Sequence, residues 1–276
     1  MQVRIKILAD NNSIDGLGKE HGLSIWIEAD GKRILFDTGQ SDLFLRNAKE
    51  MGVDLSEADL LVLSHGHYDH TGGVASFLSL SPHANVVCHP DVWLDRFSIH
   101  DGAVKPIGMP VSAREALKAL PGGRLQYLMQ PMMISNGIGL TGEIPRHTDF
   151  EDTGGPFYLA REKTQADLIH DDLALWVRMR KGLIVLVGCC HAGLINTLDH
   201  IQQTNPGERI HGVIGGFHLN AASDERMERT VSALKRYAPA FVAPCHCTGE
   251  HATEYLRRYL GSMVANCEGG KEFQFD

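Results

Sequence analysis

The chain has 276 residues, 43% of them hydrophobic, and a net charge of −8. That length accommodates one large or two small domains with a substantial core. The acidic balance, with no basic run or aromatic-interleaved basic patch, argues against a nucleic-acid partner, and no apolar stretch is long enough to span a bilayer, which argues against a membrane partner.

Residues Met1 to Leu8 alternate charged and β-branched side chains as a first strand does, and they lack the continuous apolar region of a secretory leader. The expected location is therefore the cytoplasm. Asp10, Asn11 and Asn12 follow this strand, where they serve either as turn residues or as the lining of a site's mouth. The stretch from Leu23 to Asp37 alternates, turns at Asp30-Gly31 and then runs apolar, which is a β-hairpin pattern. It ends in Asp37-Thr38-Gly39, and a helical pattern spans about 40 to 50.

A buried strand is predicted over 59 to 64, and it runs into Ser-His-Gly-His-Tyr-Asp-His-Thr-Gly-Gly at 64 to 73. Here His65, His67, Asp69 and His70 fall within six positions. Imidazole nitrogens and a carboxylate at this density suit zinc or a similar divalent ion, and a catalytic site adds an open position for water. Gly66 is expected to let the loop turn tightly. A helix at about 73 to 80 and a strand at 85 to 88 come next. Residues 98 to 165 break the rhythm, being rich in Gly and Pro, and are read as an insertion or lid.

The hairpin pattern returns from Leu173 to Val187. Laid over the first without gaps, it puts Trp26 on Trp176, Ile27 on Val177, Ile34 on Ile184 and Leu35 on Val185, an internal duplication at an offset of 150 residues. Gly188-Cys189-Cys190-His191 and a helix at about 193 to 204 follow. Strands are predicted at 210 to 215, 240 to 244 and 271 to 275, and helices at 223 to 237 and 250 to 260, the former capped by Ser223 with Asp224 and Glu225 in its first turn. His191, His218 and His246 each follow a strand of this half. Any one alone has many unremarkable uses, but strand ends along one sheet edge lie together, so one shared site is the economical reading. The pattern of two strand-rich halves with amphipathic helices implies two packed sheets with helices outside.

The series His65-x-His67-x-Asp69-His70, then His191 after Gly-Cys-Cys, then His246, preceded by Asp37-Thr38-Gly39, resembles the metallo-β-lactamase superfamily over essentially the whole chain. The resemblance implies an α/β (α+β) fold, an αββα sandwich of two mixed sheets, with residues 1–276 forming a single domain. It implies that His65, His67 and His191 hold one metal, that Asp69, His70 and His246 hold a second, and that Asp37 orients ligands from behind. The family's bridging Asp, expected at the exit of the strand after the third motif, is missing: the chain reads Val213-Ile214-Gly215-Gly216-Phe217-His218. Either His218 substitutes as a ligand or the second ion is held weakly. Di-iron redox relatives carry Glu where this chain has His67, so one or two redox-inert divalent ions are expected, zinc foremost, with manganese or iron as alternatives.

More narrowly, Gly142-Glu143-Ile144-Pro145-Arg146, Asp171-Asp172, Gly215-Gly216-Phe217-His218 and Cys245-His246-Cys247-Thr248-Gly249 look like a subgroup that includes an archaeal dihydropterin ribofuranosylaminobenzene phosphate synthase. By that likeness Arg146 and Glu143 bind a phosphate and a heterocycle, a guanidinium fork being apt for phosphate, although an ordinary surface ion pair explains them equally well. The expected activity is metal-dependent hydrolysis of a small-molecule phosphoester or lactone, with Asp69 as ligand and proton shuttle and His218 as the second catalytic candidate; the rival is a pterin-type condensation on the same metal site. A structural or sensing protein built on Cys189, Cys190, Cys245 and Cys247 is disfavoured, because CC and CxC spacings are not zinc-ribbon knuckles. These cysteines are read as small buried residues packing behind the ligands.

Overall fold

The computed structural model describes residues 2–276. The first half runs β1 (Val3–Ala9), β2 (Ser24–Ala29), β3 (Lys32–Phe36), α1 (Leu43–Glu50), β4 (Leu60–Val62), α2 (Tyr68–Thr71), α3 (Val74–Leu80), β5 (Asn85–Cys88), β6 (Phe97–His100), β7 (Ala103–Pro106), α4 (Val111–Lys118) and β8 (Leu125–Tyr127). The second runs β9 (Met132–Ser135), β10 (Ile138–Leu140), β11 (Phe157–Tyr158), β12 (Ala174–Met179), β13 (Gly182–Val187), α5 (Leu194–Thr204), β14 (Ile210–Gly216), α6 (Asp224–Tyr237), β15 (Phe241–Cys245), α7 (Glu250–Leu260) and β16 (Glu272–Phe275).

One sheet has the order β16-β1-β2-β3-β4-β5-β8 and the other β15-β14-β13-β12-β10-β9. Period-two alternation decides what each face covers. Ile25 and Ile27 of β2 meet Leu175 and Val177 of β12 in the core between the sheets. The intervening Trp26 points outward into a layer with Phe44, Phe77 and Leu117 of the first-half helices. Its counterpart Trp176 points outward among Leu198, Met227 and Leu256 of α5, α6 and α7. The four layers are therefore helix, sheet, sheet, helix. Burying a large aromatic of this kind on each outer face contributes roughly 3 kcal/mol at the upper end of the transfer scale.

The duplication extends to register. Ile25 pairs with Phe36, Trp26 with Leu35 and Ile27 with Ile34; 150 residues on, Leu175 pairs with Leu186, Trp176 with Val185 and Val177 with Ile184. The sense of pairing repeats as well. β1-β2 and β2-β3 are antiparallel and β3-β4 and β4-β5 parallel, matching β10-β12, β12-β13, β13-β14 and β14-β15. In each half the parallel strands send their carboxyl ends toward one edge, which is where crevices form in such sheets.

Residues 98 to 165 do not form one separate lid. β8 completes the first sheet, β9 and β10 extend the second, and α4 packs in the outer layer of the first. Only β6, β7 and β11 form a small third sheet, while the segment after β10 is tied down side chain by side chain. Asn196 Oδ1 accepts from the amides of His147 and Thr148, each at 3.0 Å. Glu151 accepts from the amides of Ile195 and Asn196 at 2.8 and 2.9 Å, capping α5, whose N-cap Gly193 has no side chain to do so.

Candidate metal centre

The first cluster leaves β4 on a loop that leads into α2. Gly66 is needed there for space rather than for a left-handed turn: a Cβ would lie 2.6 Å from the Val92 carbonyl oxygen and 2.8 Å from Arg96 Nη1. Arg96 is fully buried and grips Asp171 with both terminal nitrogens, at 2.8 and 2.6 Å, while its Nε faces Asp167 Oδ2 at 2.8 Å. Asp171 Oδ2 in turn accepts from the Gly66 amide at 2.7 Å. Asp171 thus clamps the histidine loop from behind, while Asp172 Oδ2 accepts from the Ala192 amide at 2.7 Å, next to His191.

Four imidazoles have their Nδ1 proton assigned by an obligate acceptor. His70 Nδ1 donates to Asp37 Oδ2 at 2.7 Å, His191 Nδ1 to the Thr153 carbonyl at 2.8 Å, and His246 Nδ1 to Asn11 Oδ1 at 2.9 Å. Ser64 gives its own hydroxyl proton to Asp37 Oδ2 at 2.6 Å, so it receives the His65 Nδ1 proton at 2.9 Å. Each neutral ring therefore presents Nε2 as a bare lone pair. These lone pairs meet. His70 Nε2 and His246 Nε2 stand 3.1 Å apart, and His65 Nε2 lies 3.0 Å from His67 Nδ1. His191 Nε2 is buried without any partner. Nitrogens bound to one tetrahedral ion at ordinary zinc distances stand about 3.3 Å apart, so the donor set fits a divalent cation.

The electrostatics agree. His70 is pushed up to about 9: burial opposes this, and the Asp37 and Asp69 carboxylates outweigh it. Burial raises Asp69, but the imidazoles of His70, His21 and His246 hold it well below the usual carboxylate range. His65 and His191 are held far below the usual imidazole range by burial and by one another's neighbours, and His67 falls to about 3 through burial and the Arg96 guanidinium. The cluster thus sets the ionised Asp69 and a raised His70 beside three rings that burial keeps unprotonated, a field that favours a compact positive charge. Its backbone is strained to suit, with φ of +62° at Asp37, +53° at Cys190, +47° at His218 and +52° at His246, values that non-glycine residues adopt chiefly where function requires them.

All six residues expected as ligands come together with Asp37 and Asn11. Asn11 supports His246 rather than standing free in the cleft. His218 also arrives, its ring 4.2 Å from that of His191 and its Nδ1 buried and unpartnered. Arg146 and Glu143 do not line the cleft. Arg146 donates to the carbonyls of His191, at 2.6 Å, and Leu168, which occupies its fork, and Glu143 pairs with His170 at the surface at 2.9 Å. His21 escapes the sequence reading, and Cys189 is assigned there to packing. His21, alone between polar residues, carries no spacing signal, yet its Nε2 sits 3.1 Å from Asp69 Oδ2. Cys189 is not packed behind the ligands: its sulfur lies 3.1 Å from His70 Nε2, and it completes candidate ligand groups with His65 and His191 and with His70 and His246. The cleft, of about 180 Å³, is lined by these groups with Tyr68, Lys105 and Phe157.

Residues 17–120 match the family model of the metallo-β-lactamase superfamily. A solved metal-dependent hydrolase of the β-lactamase superfamily superposes on the chain with a TM-score of 0.85 and 31% identity, covering 99% of both chains. The chain belongs to the metallo-β-lactamase superfamily. Two Methanocaldococcus jannaschii proteins resemble this superfamily member along most of their length. One, uncharacterised, is 33% identical over 91% of this chain and 93% of its own. The other, a 7,8-dihydropterin-6-methyl-4-(β-D-ribofuranosyl)-aminobenzene-5′-phosphate synthase, is 29% identical over 93% of this chain and 90% of its own.

Proposed function

We propose that the protein is a metal-dependent hydrolase of a small molecule, a phosphoester foremost and a lactone second. In this reading His65, His67 and His191 hold one divalent ion, zinc by donor type, and Asp69, His70 and His246 hold another. The observation that carries it is the set of four imidazoles whose Nδ1 protons are fixed by acceptors, so that their lone pairs converge with Asp69 on one cleft. When bound, such an ion supplies Lewis acidity and a water nucleophile at neutral pH. Asp69 would hold the ion and, through its 3.1 Å contact with the half-exposed His21 ring, would offer a proton route to solvent. Lys105, which donates to Tyr68 Oη at 2.9 Å on the cleft wall, takes the anion-binding role expected of Arg146. His218 stands beside His191 to protonate the leaving group.

The test is turnover of an aryl phosphomonoester, an aryl phosphodiester and a γ-lactone by zinc-loaded and manganese-loaded protein, with His67→Ala and His191→Ala as comparisons. Ester or lactone turnover that both substitutions abolish supports the hydrolase. The likeness to the synthase favours a second reading, in which the same site binds the diphosphate leaving group of a pterin while an aminobenzene attacks. Metal-loaded protein that turns over none of the three substrates, yet joins a pterin diphosphate to an aminobenzene riboside phosphate, would establish that reading instead.

A further inference from the structure

The strand exit where the family places its bridging carboxylate ends here in Gly215-Gly216, and the space is not vacant. A Cβ on Gly216 would lie 2.5 Å from Cys247 Sγ and 3.5 Å from His246 Cδ2, so sulfur fills the volume that a side chain at this strand end would take. From the neighbouring strand, β13, Cys189 brings a second sulfur to the same place. Its Sγ is 3.1 Å from His70 Nε2, and its distances to the donor atoms of His65 and His191 on one side, and of His70 and His246 on the other, are all within 4.8 Å. His191 Nε2, fully buried and without a partner, is aimed into the first of these groups. The left-handed φ of Cys190 bends the chain just after Cys189, which sends Cys190 into the outer core with α5 and leaves Cys189 facing the histidines.

We propose that Cys189 is a metal ligand shared by the two histidine groups, a thiolate standing in for the missing bridging Asp. The proposal rests on the two-ion reading above and sharpens it. A carboxylate bridges through two hard oxygens, whereas one thiolate bridges through a single large, polarizable sulfur and selects zinc-like ions over magnesium or manganese. On metal binding the thiol proton leaves to solvent, the usual course for a cysteine ligand. Cys189 thereby answers the question that His218 left open: the latter need not ligate.

Cobalt(II) added to metal-depleted protein reads the ligand set without any substrate. A sulfur-to-cobalt charge-transfer band in the near ultraviolet is expected in the unmodified protein and in Cys190→Ala, and its loss in Cys189→Ala and Cys189→Ser, with loss of one bound ion by elemental analysis. Cobalt bound by the unmodified protein with visible ligand-field bands but no charge-transfer band would overturn the thiolate ligand while leaving metal dependence standing. A band that persists in Cys189→Ala would overturn it in favour of Cys247. Failure of the unmodified protein to take up cobalt or zinc at all would overturn the metal-dependent reading itself. Because the unmodified spectrum decides the first of these, a substitution that misfolds does not shelter the proposal.

Discussion

Asp37 does more at this site than any residue that faces the cleft. Its two oxygens accept from the Ser64 amide at 2.7 Å, the Ser64 hydroxyl at 2.6 Å and His70 Nδ1 at 2.7 Å. One carboxylate therefore fixes the tautomer of His70 directly and that of His65 through a hydroxyl, and its charge raises the basicity of His70. Asp37→Asn keeps the shape but removes the charge, and its amide nitrogen cannot accept from His70 or Ser64. The expected result is about 10 to 100-fold weaker zinc binding, the usual scale for losing such a supporting group, measured by competition with a chromogenic chelator. Unchanged affinity would mean that the two rings are oriented by packing alone.

At the scale of elements, the buried Arg96 joins three pieces of chain. It accepts the charge of Asp171 and Asp167, donates to the Asp91 carbonyl at 3.3 Å, and through Asp171 holds the Gly66 amide between two metal-ligand candidates. Removing one partner of a buried ion network leaves charge uncompensated, at a cost of about 3–5 kcal/mol; Arg96→Met is expected to destabilise by that amount in urea unfolding at pH 7. The pH dependence follows from Asp171. Burial raises its pKa, but the Arg96 guanidinium more than reverses this and holds it below the usual range. Its stabilisation is therefore complete above the ordinary carboxylate pKa and is lost as pH falls through the depressed folded value. Asp167 has the opposite sign, burial leaving it raised despite Arg96. The deficit of Arg96→Met should accordingly narrow in acid, where its orphaned carboxylates protonate; a deficit constant from pH 7 down to pH 3 would exclude the network as its cause. Asp171 was visible in the sequence only as part of a motif without a role, and Arg96 and Asp167 not at all, because the three are joined only by tertiary contact. The strands that end in histidine were legible, since period-two patterning and metal-ligand spacing are local. The stretch after β5 was not: β8, β9 and β10 have three or four residues each and take their conformation from the sheets they join, and α4 starts at a proline N-cap with no acidic residue in its first turn.

For the molecule as a whole, the repeated register and repeated sense of pairing describe two copies of one sheet packed face to face. Their corresponding edges meet where the histidines converge. His65, His67, Asp69 and His70 come from the first copy and His191 and His246 from the second, with Asn11 of the first holding His246 of the second at 2.9 Å. Such a site exists only when both halves are folded and docked, so an ion bound there stabilises the entire native state and not one loop. The linkage gives about 4 kcal/mol when free metal exceeds its dissociation constant a thousandfold. Stripping the protein with a chelator and dialysing the chelator away should therefore lower the midpoint of a single unfolding transition, and zinc should restore it with a rise that tracks the logarithm of free zinc. If chelation instead split the transition in two, the halves would be independently stable and the metal would join them without being needed to fold either. If zinc shifted nothing, the converging lone pairs would be satisfied by protons alone, and His70, already pushed up to about 9, would be carrying the charge that the site was built to receive from a cation.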